Sequence, residues 1–206
     1  MGAQEVWDKS LVPDRFRSMK LEELRGISTQ VREWALDYCD RYPDLFSPKN
    51  RNGLYLYSPI PGNGKSAVAV AIMRELIERK KARRIATFAP MIDVLEWMHE
   101  ARRQDVAFAD YGPAARLFDS DLLVLDDMGK GRFTDYIATQ YYYLVNRLYN
   151  DCRHVIFTSN YPLSALARTL NQAREDKDMF GQSVVSRIHE MTEVIQFSGQ
   201  DYRIGV

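Results

Sequence analysis

The sequence has few cysteines, few histidines and no net charge. Among its 206 residues there are two cysteines and three histidines, and neither Cys39 nor Cys152 belongs to a CxxC motif or lies near a pair of histidines. This pattern excludes the usual zinc sites and disulfide frameworks, and it favours a reducing compartment. Lys plus Arg and Asp plus Glu number 28 each, so no overall positive field attracts nucleic acid or anionic lipid.

The sequence also lacks a long apolar run. No stretch approaches the roughly 20 apolar residues of a membrane span, and the first residues do not combine a basic segment with an apolar one. Hydrophobic residues nevertheless make up 46% of the chain and aromatic residues 12%, which is enough for a folded core and excludes extensive disorder. We therefore expect a cytoplasmic protein that does not contact a membrane.

Short apolar runs alternate with helical patterns from about residue 51 onward. This alternation predicts an α/β fold, a parallel sheet with helices on both faces. Residues 1–50 are expected to form an N-terminal helical lead-in and linker, and residues 51–206 the core. The helical spacing over 21–42 allows a break near Gly26 and Ser28, so it predicts one helix or two short ones. The connection from 88 to 122 is longer than one crossover needs, so it has room for an additional helix. The predicted strands are 54–57, 84–88, 122–126, 155–159 and 194–197, and the helices between them are 66–81, 91–103 and 139–151.

A phosphate-binding motif follows the first predicted strand. The segment Pro59-Ile-Pro-Gly-Asn-Gly-Lys-Ser66 matches G-x-x-x-x-G-K-[ST], except that Pro59 replaces the first glycine. The glycines let backbone N–H groups turn toward phosphate oxygens, and the following helix adds its positive N-terminal end. Lys65 is predicted to bind the β- and γ-phosphates, and the Ser66 hydroxyl to coordinate Mg²⁺. The alternative is a simple turn. The residues predicted to bind the nucleotide here are Pro61, Gly62, Asn63, Gly64, Lys65, Ser66 and Ala67.

Two carboxylates end a later apolar strand, Asp121-Leu-Leu-Val-Leu-Asp-Asp127. Parallel sheets bind ligands beyond the carboxyl ends of their strands, where the phosphate-binding loop also emerges. Asp126 is predicted to hold Mg²⁺, directly or through water. Asp127 is predicted to polarise the water that attacks the γ-phosphate. The alternative is an acidic turn without a chemical role.

Asn160 ends the next predicted strand at the same edge of the sheet. Its amide is predicted to orient the attacking water or to sense the γ-phosphate, and the alternative is that it caps the helix that follows Pro162. Farther along, Arg187 interrupts an apolar helical segment. A lone arginine in such a segment is by itself more typical of an ordinary surface residue.

Several segments together resemble the AAA+ ATPases, and among them the bacterial and phage helicase loaders of the DnaC/DnaI type with their IstB-type relatives. The resemblance extends from about residue 12 onward. It implies a P-loop NTPase fold of the AAA+ type with a five-stranded parallel sheet, and it implies ATP and Mg²⁺ as cofactors. Because only nine residues follow the last predicted strand, we expect no separate C-terminal lid. Besides the phosphate-binding motif, the segments that carry the resemblance are Val12-Pro-Asp-Arg-Phe16, Leu21-Glu-Glu-Leu24, Tyr55-Leu-Tyr57, Leu123-Val-Leu-Asp-Asp-Met-Gly129, Phe157-Thr-Ser-Asn-Tyr-Pro-Leu163, Ser186-Arg-Ile188 and Asp201-Tyr-Arg203.

The resemblance also implies roles for two arginines and a set of partners. Arg187 would be an arginine finger that reaches the γ-phosphate of a neighbouring subunit, so that hydrolysis depends on self-assembly. Arg203 would match the second sensor arginine, which contacts the nucleotide, and the segment ending at Phe16 would pack near the adenine. The implied function is ATP hydrolysis that loads or remodels a replicative helicase of the DnaB type on single-stranded DNA during replication.

Two other functions fit the same motifs. An IstB-like ATPase would assist a transposase on duplex DNA. A P-loop kinase would phosphorylate a small molecule, but it needs an acceptor site and a mobile lid, for which the sequence shows no separate segment. Arg102 and Arg103, at the end of a predicted helix, are candidates for a DNA contact.

Overall fold

The fold is known from a computed structural model that describes residues 2–24, 27–41, 53–79, 85–131, 133–173, 179–198 and 201. None of the helices within these ranges has both the length and the apolar character required of a membrane-spanning segment. The helices are α1 (Ala3–Asp8), α2 (Asp14–Arg17), α3 (Thr29–Asp40), α4 (Lys65–Glu78), α5 (Met91–Arg103), α6 (Gly112–Asp119), α7 (Asp135–Asn150), α8 (Leu163–Gln172) and α9 (Phe180–Met191). The strands are β1 (Gly53–Tyr57), β2 (Ala86–Pro90), β3 (Leu122–Met128), β4 (His154–Ser159) and β5 (Thr192–Gln196).

The five strands form one parallel sheet in the order β2-β3-β4-β1-β5. The chain leaves β1, crosses to β2 at the edge of the sheet, and returns through β3 and β4 to the side of β1. Strand β4 therefore lies between β3 and β1. Because all three strands run in the same direction, their carboxyl ends meet at one edge, where α/β sheets bind ligands.

Side chains of the strands alternate between two apolar layers. Leu54 and Val124 pack with helices α1 to α4 on one face, whereas Tyr55 and Leu125 pack with helices α5 to α9 on the other. Burial on both faces explains why the strands read as nearly continuous apolar runs. The predicted α/β fold, a five-stranded parallel sheet with helices on both faces, is confirmed.

The predicted elements agree with the observed ones in most places. Helix α5 has the predicted bounds, and the additional helix α6 lies in the long connection between β2 and β3. In the segment 21–42, where the sequence allows a break near Ser28, the structure has the helix α3 from Thr29. The Ser28 hydroxyl accepts a hydrogen bond from the Val31 N–H at 3.2 Å and caps this helix. Leu21 and Leu24 lie in and beside a turn, and both are buried. Their helix-like spacing reflects contact with the core. Residues 25, 26 and 42 of the predicted segment lie outside the described ranges.

Candidate nucleotide-binding site

The phosphate-binding motif forms a tight loop between β1 and α4. Gly62 and Gly64 have φ angles of 70° and 93°, in the left-handed region that glycine adopts without strain. Gly64 immediately precedes α4, so the loop leads directly into that helix. The first N–H groups of a helix have no partner within it and carry a partial positive charge, which suits a bound phosphate.

Lys65 is the first residue of α4, and its side chain packs against this loop. Its ammonium donates hydrogen bonds to the carbonyl oxygen of Ile60 at 3.2 Å and to Asn63 Oδ1 at 3.1 Å, and the residue is only 7% exposed. Both acceptors are neutral oxygens. Phosphate oxygens would form stronger, charge-assisted bonds to the same ammonium.

Asn63 has a donor that the described residues leave unused. The residue is 2% exposed, and its Nδ2 has no hydrogen-bond partner in the described part of the chain. Buried polar groups without a partner are rare because they lose their hydrogen bonds to water. A buried N–H donor beside the Lys65 ammonium fits a ligand with several anionic oxygens, as a triphosphate has.

An irregularity in β3 turns two carboxylates toward the loop. The register between β3 and β4 shifts between Leu125 and Met128, and Asp127 has a φ of 64°, a conformation that Asp tolerates better than most residues. In a regular strand, neighbouring side chains point to opposite faces of the sheet. Here Asp126 and Asp127 line the same cleft.

Asp126 is buried against two hydroxyl groups. Thr158 Oγ1 donates to Asp126 Oδ1 at 2.6 Å, and the Ser66 hydroxyl also bonds to this carboxyl. Burial raises the pKa of Asp126 above its ordinary value, and the nearby charge of Asp127 raises it further. The hydrogen bonds from the two hydroxyls lower this pKa, but by less than burial raises it. A nearby divalent cation would favour the ionised carboxylate, and a carboxylate beside a hydroxyl is a donor set that Mg²⁺ accepts. The residues present therefore fit Mg²⁺.

The two oxygens of the Asp127 carboxylate face different partners. Oδ2 accepts a hydrogen bond from Lys130 Nζ at 2.9 Å, and Oδ1 accepts one from Asn160 Nδ2 at 3.4 Å. Asn160 does not cap the next helix, because α8 begins at Leu163 after Pro162 and no side chain caps it. The amide of Asn160 instead touches the residue that is predicted to polarise water.

These groups line one cleft of about 610 Å³. The predicted residues among its walls are the seven residues Pro61, Gly62, Asn63, Gly64, Lys65, Ser66 and Ala67, together with Asp126, Asp127 and Asn160. The sequence did not predict Met19, Glu23, Leu24, Lys130 and Thr158, which also line it. The position of Thr158, two residues before Asn160 at a strand end, could have indicated that it lines the cleft. A lysine between two glycines is typical of an exposed turn, so the sequence did not indicate that Lys130 lines the cleft. The chemical roles of all these residues stay predictions.

The N-terminal segment supplies the apolar part of the cleft. Phe16, Met19 and Leu24 line it together with the phosphate-binding loop. The Arg15 guanidinium, which also lines the cleft, lies 4.6 Å from the centre of the Phe16 ring. Apolar side chains beside an anion site suit a ligand with a flat base and a charged tail, as expected for the segment ending at Phe16.

Arg187 is held on its own chain, away from this cleft. Its Nε donates to Asn146 Oδ1 at 2.9 Å, and a terminal guanidinium nitrogen donates to the carbonyl oxygen of Ser183 at 2.8 Å. It is not among the described residues that line the cleft. Its predicted role in a neighbouring subunit's site stays a prediction.

The C-terminal segment reaches the phosphate-binding loop at Asp201. A Cβ added to Gly62 would lie 1.7 Å from Asp201 Oδ1, so this carboxylate packs directly against the glycine. The sequence did not predict this contact. Arg203, the predicted second sensor arginine, lies outside the described residues.

The fold and the cleft define a class of protein. A parallel sheet in this strand order, a glycine-bent loop before a helix, and carboxylate and amide groups at the ends of β3 and β4 define a P-loop nucleotide-binding protein of the AAA+ type. A family model described as "IstB-like ATP binding protein" matches residues 46–205. The chain belongs to this family.

Solved structures share the fold. The crystal structure of the DnaC helicase loader has a TM-score of 0.71 and 23% identity, over 90% of this chain and 100% of that one. The crystal structure of DnaI has a TM-score of 0.69 and 18% identity, over 93% of this chain and 94% of that one. AMPPCP-bound DnaA from Aquifex aeolicus has a TM-score of 0.58 and 17% identity, over 92% of this chain and 52% of that one. A comparison with curated proteins gave no significant match.

Proposed function

We propose that the chain hydrolyses ATP with Mg²⁺ and uses the reaction to load or remodel a replicative helicase of the DnaB type on single-stranded DNA during replication. The observation that carries the enzymatic part is the cleft, which gathers a lysine, two carboxylates and an amide at one edge of the sheet. The structural likeness to the DnaC helicase loader supports the choice of task.

Residues of the loop hold the phosphates. The Lys65 ammonium exchanges its two neutral acceptors for phosphate oxygens, and Asn63 Nδ2 donates to a further oxygen. Ser66 and Asp126 are the residues that would hold Mg²⁺. When bound, Mg²⁺ neutralises the charge that develops on the phosphate oxygens. The wall formed by Phe16 and its neighbours receives the adenine.

Asp127 and Asn160 act on the attacking water. Asp127 accepts a hydrogen bond from the water and, as the reaction proceeds, its proton. Asn160 orients the same water from the end of β4. Thr158 fixes the two carboxylates relative to each other, because its hydroxyl donates to Asp126 and accepts from the Asp127 N–H at 2.9 Å.

A neighbouring copy supplies Arg187. The guanidinium is half-buried and lies 5.3 Å from the centre of the Tyr142 ring, so its position on α9 is well defined. An ordered arginine outside its own cleft suits a contact with the γ-phosphate of another subunit, and it makes hydrolysis depend on self-assembly.

The carboxyl end of α5 is the candidate contact for single-stranded DNA. Arg102 lies 4.5 Å from the centre of the Tyr136 ring, and Arg103 pairs with Glu100. Together with His99 these arginines line a shallow depression. Cationic groups beside an aromatic ring suit a nucleic-acid backbone with exposed bases.

A second candidate function is assistance to a transposase on duplex DNA. The match to the IstB-like family model favours it, because assistance to a transposase is the function that the resemblance to IstB-type proteins implies. The chemistry of the cleft is the same in both cases. The two candidates differ in the DNA and in the protein partner.

One experiment separates the candidates. ATP turnover is measured over a range of protein concentrations without DNA, with single-stranded DNA and with duplex DNA, and the host's DnaB-type helicase is tested for ATP-dependent co-purification. We expect turnover per subunit to rise with protein concentration, single-stranded DNA to stimulate it more than duplex, and the helicase to be retained. Preference for duplex DNA without helicase binding would favour the transposase role. No turnover under any condition would contradict the enzymatic proposal.

A further inference from the structure

Lys130 is a cation in the cleft to which neither the phosphate-binding motif nor the family resemblance gives a role. Its Nζ lies 2.9 Å from Asp127 Oδ2, and its side chain lines the same cleft as Lys65. We propose that Lys130 senses the γ-phosphate: it binds Asp127 when no γ-phosphate is present, and it moves to the γ-phosphate when ATP is bound. This inference rests on the proposed binding and hydrolysis of ATP.

The backbone around Lys130 holds the residue in place, so that the movement involves only the side chain. Its two neighbours, Gly129 and Gly131, have φ angles of 88° and 107°, in the left-handed region that glycine adopts without strain. The Gly129 N–H donates to the hydroxyl oxygen of the fully buried Tyr141 at 3.3 Å, so the start of the loop is fixed to the core. The lysine therefore extends from an anchored point and can move by rotating its side chain.

The ion pair between Lys130 and Asp127 is easily exchanged. The Lys130 side chain is 72% exposed and that of Asp127 is 36% exposed. Ion pairs as exposed as this one are weak, because water screens both charges. A γ-phosphate carries more negative charge than one carboxylate and competes for the ammonium on favourable terms. A compact ammonium on a flexible chain suits a contact that has to change partners.

The departure of Lys130 leaves Asp127 able to act on water. Asp127 Oδ1 keeps its contact with Asn160 at 3.4 Å, and the Asp127 N–H keeps its bond to Thr158. The carboxylate thus stays oriented while Oδ2 becomes available to the attacking water. The exchange couples the presence of a γ-phosphate to the release of the base.

The two lysines of the cleft then have separate tasks. Lys65 is buried at the start of α4 and donates hydrogen bonds to oxygens of Ile60 and Asn63, and it contributes to the binding of ADP as well as ATP. Lys130 lies beside Asp127 and contributes only when a third phosphate is present. Lys130 is therefore a residue that makes the cleft prefer ATP to ADP.

The test compares the binding of ADP and of AMPPNP, both with Mg²⁺, by titration calorimetry. We expect K130Q to lose about tenfold in affinity for AMPPNP, the equivalent of one charge-assisted hydrogen bond, and to bind ADP like the wild type. K130R keeps the charge and should keep the preference for AMPPNP. The control is K9Q, because Lys9 is also an exposed, ion-paired lysine, bonded to Glu5 at 2.7 Å, and does not line the cleft.

The possible outcomes separate this inference from the proposed function. Equal loss of affinity for both nucleotides in K130Q, or no loss for either, would overturn the role of Lys130 while leaving ATP binding intact. If the wild type binds neither nucleotide, the proposed function fails and the role of Lys130 fails with it. Thermal unfolding of K130Q and K130R verifies that both variants are folded, as expected for a side chain that is mostly in solvent.

Discussion

We expect nucleotide binding to depend on Lys65 more than on any other single side chain of the cleft. Replacement by alanine removes the buried ammonium and leaves Asn63 Oδ1 without the donor that it has now. We expect Lys65→Ala to weaken binding of ATP by about 100-fold or more, since a charge-assisted contact to each of two phosphates is lost, and binding of ADP by less, since only the contact to the β-phosphate is lost. Titration calorimetry measures the effect, with Lys9→Ala as the control. Unchanged affinity in a folded Lys65→Ala variant would contradict the placement of the phosphates in this loop.

A variant of Asp127 is expected to separate nucleotide binding from hydrolysis. In Asp127→Asn the amide keeps the shape of the side chain but cannot take a proton and no longer forms an ion pair with Lys130. We therefore expect AMPPNP to bind at least as tightly as to the wild type, and turnover to fall by about 10²–10⁴-fold. Phosphate release under saturating ATP measures turnover. Turnover equal to that of the wild type would remove this carboxylate from the mechanism.

Asp126 makes the stability of the nucleotide-free protein depend on pH. Burial raises the pKa of Asp126 above its ordinary value of 3.8. As pH rises from 3.8, the unfolded chain loses the Asp126 proton before the folded protein does. The stability that the protonated Asp126 contributes is therefore fully present below pH 3.8, and it is lost as pH rises through the pKa of the folded state. Asp126→Asn removes this loss.

The comparison is made by urea unfolding at several pH values without nucleotide or Mg²⁺. We expect the free energy of unfolding of Asp126→Asn to exceed that of the wild type at neutral pH, with a difference that shrinks toward acid. Excess ATP and Mg²⁺ should stabilise the wild type more, because binding to the folded state adds to its stability. A difference that does not change with pH would show that burial of the charge is not its cause.

The sequence identified the residues of the cleft that belong to short motifs, and it missed those that folding brings in from elsewhere. Lys65 begins the helix that follows β1 and its loop, and the two aspartates lie near the carboxyl end of β3. The carboxyl ends of parallel strands meet at one edge of the sheet, which brings these residues together. Glu23 and Leu24 reach the same cleft from the N-terminal segment. Their neighbours along the chain give no signal of this, because the contact arises only when that segment packs on the core.

At the scale of elements, the contact between α8 and α9 is close enough to require glycine. A Cβ added to Gly181 would lie 2.1 Å from the carbonyl oxygen of Ala167, so Gly181→Ala must push the two helices apart. We expect it to lower the free energy of unfolding by about 1–3 kcal/mol. Because α9 carries Arg187, turnover in the assembled protein should fall more than nucleotide affinity does.

Gly112→Ala is the matched control for this variant. A Cβ at Gly112, the first residue of α6, would meet nothing within 4 Å, so the change should be neutral or stabilise by up to about 1 kcal/mol. Chemical denaturation of both variants tests the pair. Equal stability of Gly181→Ala and Gly112→Ala would show that the helices accommodate the methyl group.

Periodicity predicted the long elements well and the short or irregular ones poorly. The 13 residues of α5 contain more than three turns of clear apolar spacing, and the predicted helix begins and ends at the same residues as the observed one. Helices α1 and α2 have six and four residues, too few for a period to be visible. The irregularity at Asp127 depends on pairing with β4, which the residues of β3 alone do not reveal.

At the scale of the whole molecule, the order of the strands determines what the chain can do alone. Alternating strands and helices predict a parallel sheet, but they do not state which strands are neighbours. The observed order places β4 between β3 and β1, which brings Asp126, Thr158 and the phosphate-binding loop to one edge. Arg187 lies on α9, outside this cleft. The cleft of a single copy therefore contains the residues proposed to bind ATP and polarise water, but Arg187 of that copy does not line it.

Mixing two inactive variants tests whether copies complete each other. Arg187→Ala has an intact cleft and no finger, whereas Asp127→Asn has the finger and a cleft that binds ATP without turning it over. We expect each alone to have little turnover and an equimolar mixture to recover activity at about a quarter of the subunit interfaces, the fraction that pairs an intact cleft with an intact arginine when copies assemble at random. Binding of AMPPNP by Arg187→Ala should match the wild type, which shows that its own cleft is undamaged. If the mixture stays as inactive as its components while both variants assemble, Arg187 does not act between subunits. Turnover by Arg187→Ala at the wild-type rate would exclude the arginine from the reaction altogether.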